Sequence, residues 1–223
     1  MTGRVLSLQV GAAATVPWRG RRVPSAIVKK PVAGRIGLSA TGFAGDEQAD
    51  LTVHGGPDKA VCCFAREHQL ALGEELQHRF DPGAFGENLT IEGLADAAVH
   101  IGDTYTLGGA VVQVSQPRGP CFKVAARWGM RTLPRLLSHG LRSGWYLRVL
   151  DEGDVGAGDA LELVERVSAV SVAEVTRVTY RDRAHAAALE AILAVPELAA
   201  QWRDALLVLR ERQRLPLGDP VQD

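Results

Sequence analysis

From Val5 to about residue 165 apolar residues recur at every second position in short runs, each broken by Gly, Pro or Asp. Strands with one buried face produce that alternation, and its frequent punctuation predicts a closed or partly closed antiparallel β-barrel. The clearest stretch is Thr104 to Val114. Tyr105 and Leu107 alternate with polar residues, Gly108-Gly109 supply the positive φ of a two-residue hairpin, and Ala110, Val112 and Val114 resume the pattern. Gly-Asp pairs at 45-46, 102-103 and 158-159 predict turns at strand ends. Short helices are expected at Arg66 to Gln77, at Phe122 to Trp128, and around Thr132 to Ser138, where Pro134 falls near a helix start.

From Ser168 the period becomes helical. Ser171 and Glu174 have capping-box spacing ahead of Val175 and Val178, a second helix is expected from about Asp182 to Ala194, and Pro196 is expected to open a third. Leu198, Trp202, Leu206 and Leu209 share one face of that third helix. The predicted organisation is mainly β with α: a barrel domain over 1–166, a three-helix module packed as a unit over 167–215, and a disordered tail over 216–223.

A chain of 223 residues, 46% of them hydrophobic, can bury a substantial core. Lys and Arg number 25 against 26 Asp and Glu, a balance that argues against a nucleic-acid polymer or an anionic membrane as partner. The start, MTGRVLSLQVG, has no long apolar core of the exported type, and no membrane-length apolar run follows. A soluble, unprocessed protein is expected. Three cysteines, at 62, 63 and 121, make no disulfide framework and suit a reducing cytoplasm. They are too few for an iron-sulfur cluster and include no Cys-x-x-Cys pair, so electrons for any redox work must come from a separate protein.

Three segments carry candidate chemistry. QPRGPCFKVAARWG, 116–129, delivers Cys121 through two prolines to a helix start, with Arg118 and Lys123 nearby. A cationic helix start favours the thiolate, the nucleophilic and metal-binding form; the alternative is a small buried hydrophobe. Cys62 and Cys63 fall inside an apolar strand and read as core. In GDEQADLTVHGGPDKAV, 45–61, His54 precedes Gly55-Gly56, whose backbone can approach a ligand, and Asp58-Lys59 follow. On these residues alone an ordinary Gly-rich loop with a hydrogen-bonded His is the favoured reading. GAFGENLTIEGL, 83–94, reads as a tight loop in which Glu87 or Asn88 ties down backbone groups. Lys29, Lys30 and Arg148 are candidate phosphate partners or solvated charges.

Six blocks in order resemble the MOSC family, named for the carboxy-terminal domain of molybdenum cofactor sulfurases, and its stand-alone YiiM-type branch with a three-helix extension. They are SAIVKKPV (25–32), GDEQADLTVHGGPDKAV (45–61), FGENLT (85–90), IGD (101–103), QPRGPCFK (116–123) and GWYLRVL (144–150). The resemblance spans about two thirds of the chain directly, and FAREHQLAL, 64–72, departs from it in carrying fewer aromatic residues. It implies a β-barrel and a pocket for molybdenum cofactor, a molybdenum-bearing pterin. It also implies Cys121 as metal ligand and, with His54 beside the reacting group, as catalytic residue, the Gly55-Gly56 turn as cofactor-binding, and Lys29, Arg118, Lys123 and Arg148 toward the cofactor's anionic end. The implied activity is reduction of N-hydroxylated compounds such as 6-hydroxylaminopurine-type bases, a detoxification, with a separate reductase as electron donor. A non-catalytic cofactor carrier or sulfur-transfer module, or a Cys121–His54 acyl-transfer enzyme, are the alternatives. The helical tail is a docking surface for the reductase or for a second subunit in a homodimer, or a cover for one end of the barrel.

Overall fold

The computed structural model describes residues 2–182 and 185–214. Seven strands form the barrel: β1 (Thr2–Val10), β2 (Val61–Ala65), β3 (Leu89–Glu92), β4 (Thr104–Leu107), β5 (Ala110–Pro117), β6 (Trp145–Asp151) and β7 (Ala160–Glu165). Their order is β7-β4-β5-β6-β2-β3-β1, and β1 pairs back onto β7 through Thr2 to Arg4, which closes the ring and removes both sheet edges. The predicted hairpin is present, with Leu107 opposite Ala110 across a turn in which Gly108 has φ 58°. One pair departs from the expected antiparallel pattern: β2 and β3 run parallel. A parallel neighbour requires a crossover, which the helix after AVCCFA supplies. A separate hairpin, Ala14–Trp18 with Arg21–Ser25, and a small sheet of Arg35–Ser39, Gly42–Phe43 and Gly153–Gly156 flank the barrel.

The helices are α1 (Leu51–His54), α2 (Arg66–Leu76), α3 (Phe122–Trp128), α4 (Leu133–His139), α5 (Val172–Tyr180), α6 (Ala186–Leu193) and α7 (Ala200–Arg214). Ser171 Oγ accepts from Glu174 N at 3.1 Å, as the capping spacing predicts. The second tail helix starts later than expected, at Ala186, where the His185 ring accepts from Ala188 N at 3.1 Å. The third starts at Ala200 instead of Pro196, because Ala199 N donates to Ser115 O on β5 at 2.9 Å and draws the intervening backbone onto the barrel. The predicted tail over 216–223 lies outside the described residues.

Trp145, Tyr105, Leu89, Ile91 and Leu107 are fully buried in the barrel, and each such side chain contributes roughly 1.5–3 kcal/mol over an exposed one. Val172, Val175, Val178, Ile192 and Leu206 of the tail belong to the same continuous core. The buried side chains of the tail are thus continuous with those of the barrel. A second cluster of Val16, Ile27, Phe64, Phe80, Phe85, Val124 and Leu137 fixes α3, α4 and the flanking hairpin at one side of the barrel. Among the described residues no helix is long and apolar enough to cross a membrane.

Two fully buried carboxylates organise the loops between strands. Asp103, from the second Gly-Asp turn, accepts from His100 N at 2.9 Å, from Tyr105 Oη at 3.0 Å, and from Arg166 Nε and Nη2 at 2.8 and 2.7 Å. Asp96 accepts from Ser143 N and Gly144 N at 3.0 and 2.9 Å, which sets the entry into β6. Asp103→Ala leaves a buried hydroxyl and a partly buried guanidinium without their acceptor. It is expected to cost about 3 kcal/mol, read as a lowered midpoint of urea unfolding with unchanged slope.

Candidate functional site

Gly144 links the fold to the chemistry. Its φ is 80°, and a Cβ there would come within 2.2 Å of Cys63 O, so the chain needs glycine where it passes β2. Gly144 O then accepts from Arg118 N at 2.9 Å, and the Arg118-Gly119-Pro120 segment carries Cys121 to the N-cap of α3. The Cys121 side chain makes no capping hydrogen bond and is half-buried. It lines a cleft together with His54, Lys59, Cys62, Arg118 and Lys123. The thiol is thus not sealed within aliphatic packing.

Lys29, Asp46, Glu47, Gln48, Asn88 and Tyr146 add to the polar part of the wall. Lys29 pairs with Asp46, and both side chains are almost wholly buried. Asp46 also accepts from Gly11 N and Asn88 Nδ2, each at 2.8 Å, while Asn88 Oδ1 accepts from Cys62 N at 3.1 Å. Glu87, as expected of the GAFGEN loop, ties down backbone: it accepts from Gly83 N at 2.7 Å and Phe85 N at 3.0 Å. Phe85 O in turn accepts from Arg118 Nη2. Arg118 is 6% exposed, and its Nη1 has no partner among the described residues.

The field inside the cleft is cationic. Burial, reinforced by Lys123, Lys59 and Arg118, pushes the His54 imidazole down from 6.5 to about 4, so it is neutral at physiological pH. Burial also draws Lys59 below the ordinary lysine value. The Cys62 thiol is pushed up to about 11 by burial and stays protonated, and the Tyr146 hydroxyl, buried and bonded to Cys62, is raised as well.

Of the residues singled out from sequence, Cys121, His54, Lys29, Arg118 and Lys123 come together in the cleft. Gly55 and Gly56 do not line it; they form the turn behind His54, with Gly56 at φ 96° and its carbonyl accepting Lys59 N at 2.9 Å. Arg148 does not line it either. Its guanidinium is held by Asp58 Oδ1 at 2.8 Å, Gln113 Oε1 at 2.9 Å and Glu197 O at 2.9 Å, a brace between β6, β5 and the tail. Lys30 is exposed and outside the cleft. Cys62, read as core, is buried yet forms part of the cleft floor, whereas Cys63 on the opposite strand face belongs to the barrel interior. Lys59 was signalled by the GGPDK turn, Asp46 and Asn88 were read only as turn and loop residues, and Tyr146 had no distinguishing pattern. The tail reaches the site too: Lys59 Nζ donates to Gln201 Oε1 on α7, and Gly119 lies against Tyr180 and Trp202.

Comparison with known proteins identifies the family of the chain. Residues 50–162 match the MOSC domain family, and residues 170–211 match the YiiM-like 3-alpha helix domain. The chain is 36% identical to Protein YiiM of Escherichia coli over 203 residues, covering 90% of this chain and 88% of that protein. It superposes on the crystal structure of YiiM from Geobacillus stearothermophilus with a TM-score of 0.79 at 37% identity, covering 95% and 99% of the two chains. A protein named Reductase from Gibberella moniliformis is 41% identical over 152 residues, which are 66% of this chain and 27% of that longer protein. The chain belongs to the MOSC domain family, with the three-helix extension of its YiiM-like members.

Proposed function

We propose that this cleft binds a molybdenum-bearing pterin through the Cys121 thiolate and that the chain reduces N-hydroxylated compounds, N-hydroxylated purines among them. The observation that carries the reading is the pairing, in one cleft, of an accessible thiol with the buried Arg118 Nη1, which has no partner among the described residues. A buried guanidinium N–H without an acceptor is costly, and an anionic ligand relieves that cost. MOSC membership and the reductase-named relative support the same chemistry.

The residues fit such a group. Cys121 supplies a soft sulfur ligand, and Arg118, Lys59 and Lys123 supply cationic donors for its anionic end. Lys29 is already neutralised by Asp46, so its part is to hold the wall in place. When bound, the cofactor contributes cycling between oxidation states two electrons apart. The net reaction breaks an N–O bond, takes up two electrons and two protons, and releases water and an amine. Neutral His54 holds one ring N–H and one open lone pair at the cleft, so it can orient an N-hydroxyl group by donating to it or accepting from it. Lys59 Nζ is positioned by Gln201 to return a proton. Electrons are supplied by a separate cytoplasmic reductase.

Cys121→Ser, purified from a cofactor-competent host, is expected to retain its fold, lose bound molybdenum and pterin by elemental and fluorescence analysis, and lose reductase-dependent turnover by at least roughly 100-fold. Undiminished activity would remove Cys121 from the role. Wild-type protein that retains metal and pterin but turns nothing over would be a carrier.

The His54 ring is expected to titrate near 4, not near 6.5, in a proton NMR titration of cofactor-free protein. Its folded value is below its unfolded one, so its effect on stability is absent above about pH 6.5. As pH falls from 6.5 toward 4 the unfolded chain binds the proton first and stability declines. His54→Gln should flatten that part of the stability profile.

A further inference from the structure

Charge is unevenly distributed along this nearly neutral chain. The first 45 residues hold seven of its 25 Lys and Arg and no Asp or Glu. Lys29, Arg35 and Arg4 find Asp46, Asp159 and Glu92. Arg19, Arg21 and Arg22, at the tip of the hairpin Ala14–Trp18 with Arg21–Ser25, are exposed and have no carboxylate partner among the described residues. Arg19 and Gly20 make the two-residue turn with φ of 49° and 75°. Asn, Asp or Gly are the residues that adopt this turn without penalty, so an arginine there is held against backbone preference.

The hairpin stands beside the cleft. Trp18 packs on Phe122 with ring centroids 5.8 Å apart, and Phe122, the residue after Cys121, is 42% exposed. Arg19 lies over the Trp18 ring. Ser25, where the hairpin ends, and the next residue, Ala26, line the cleft wall. A half-buried Trp18 and an exposed Phe122, flanked by arginines without carboxylate partners among the described residues, therefore stand beside the thiol, Phe122 being the next residue in the chain.

We propose that Trp18, Arg19, Arg21, Arg22 and Phe122 form the docking surface for an acidic electron-carrier protein, which feeds the cleft two electrons per N–O bond in two single-electron transfers. The inference rests on the reductive reading of the cleft. Aromatic and Arg residues are those enriched at binding hot spots, and a compact carrier with a carboxylate-lined face complements this patch. A polynucleotide or anionic bilayer would extend beyond the patch, over a remainder in which acidic residues outnumber basic ones.

The test uses full-length protein, flavodoxin as the acidic carrier, and the variant Arg19→Glu/Arg21→Glu/Arg22→Glu. Binding of flavodoxin is titrated by fluorescence, and turnover is driven in parallel by reduced flavodoxin and by dithionite. Wild type should bind flavodoxin less tightly as salt is raised. The variant should bind roughly tenfold or more weakly at low salt and lose carrier-driven kcat/KM in proportion, with dithionite-driven turnover unchanged. Arg19→Gln/Arg21→Gln/Arg22→Gln, which removes charge without reversing it, should fall between. Equal flavodoxin binding by wild type and the Glu variant would overturn the docking surface. So would parallel loss of both turnover modes, or equally tight, arginine-dependent binding of duplex DNA or phosphatidylserine vesicles. If wild type shows no turnover even with dithionite, the reductive reading fails, and the titration still reports on docking by itself.

Discussion

A guanidinium taken out of water must be met by acceptors, and at Arg118 the fold meets that demand incompletely. Its backbone N–H is fixed by Gly144 O and its Nη2 by Phe85 O, while Nη1 is buried with no partner among the described residues. Each of those acceptors has its own restraint. Asp96 holds the Gly144 turn, and Glu87 holds the backbone at Phe85. Two buried carboxylates on separate loops thus determine where one cation sits, and that cation stands three residues before the thiol. Preorganisation of this kind is what an anion site requires, because the donors cost nothing further to orient when a ligand arrives.

The barrel and the helical tail are joined by a shared hydrophobic cluster and by polar contacts. Val172, Val175 and Ile192 enter the barrel core, Arg148 ties β6 to Glu197, and Gln201 holds Lys59 at the cleft. The helical extension braces one lining residue of the site, Lys59, in addition to covering apolar surface.

Much of this was legible in the chain. Two-residue periodicity showed the barrel strands, Gly108-Gly109 marked a hairpin, and the Ser171 cap marked the switch to helices, because each depends on local sequence. The proline-framed Cys121 segment stood out for the same reason. What escaped was set by partners distant in sequence. Arg148 looks like any basic strand residue until Asp58, Gln113 and Glu197 surround it. Cys62 lies in an apolar run, and its place on the cleft floor follows from strand alternation across β2, which Cys63 shares with opposite orientation. The start of α7 depends on a single bond to Ser115 that no pattern within the tail encodes.

Ring closure has a consequence for the order of events in biosynthesis. Thr2 to Arg4 pair with Ala160 to Glu162, so the first strand made waits for the last before the barrel shuts. Lys59 gains its Gln201 partner later still. A nascent chain therefore has no finished pocket to fill until Gln201 has been made, and loading of any prosthetic group follows synthesis of the helical tail.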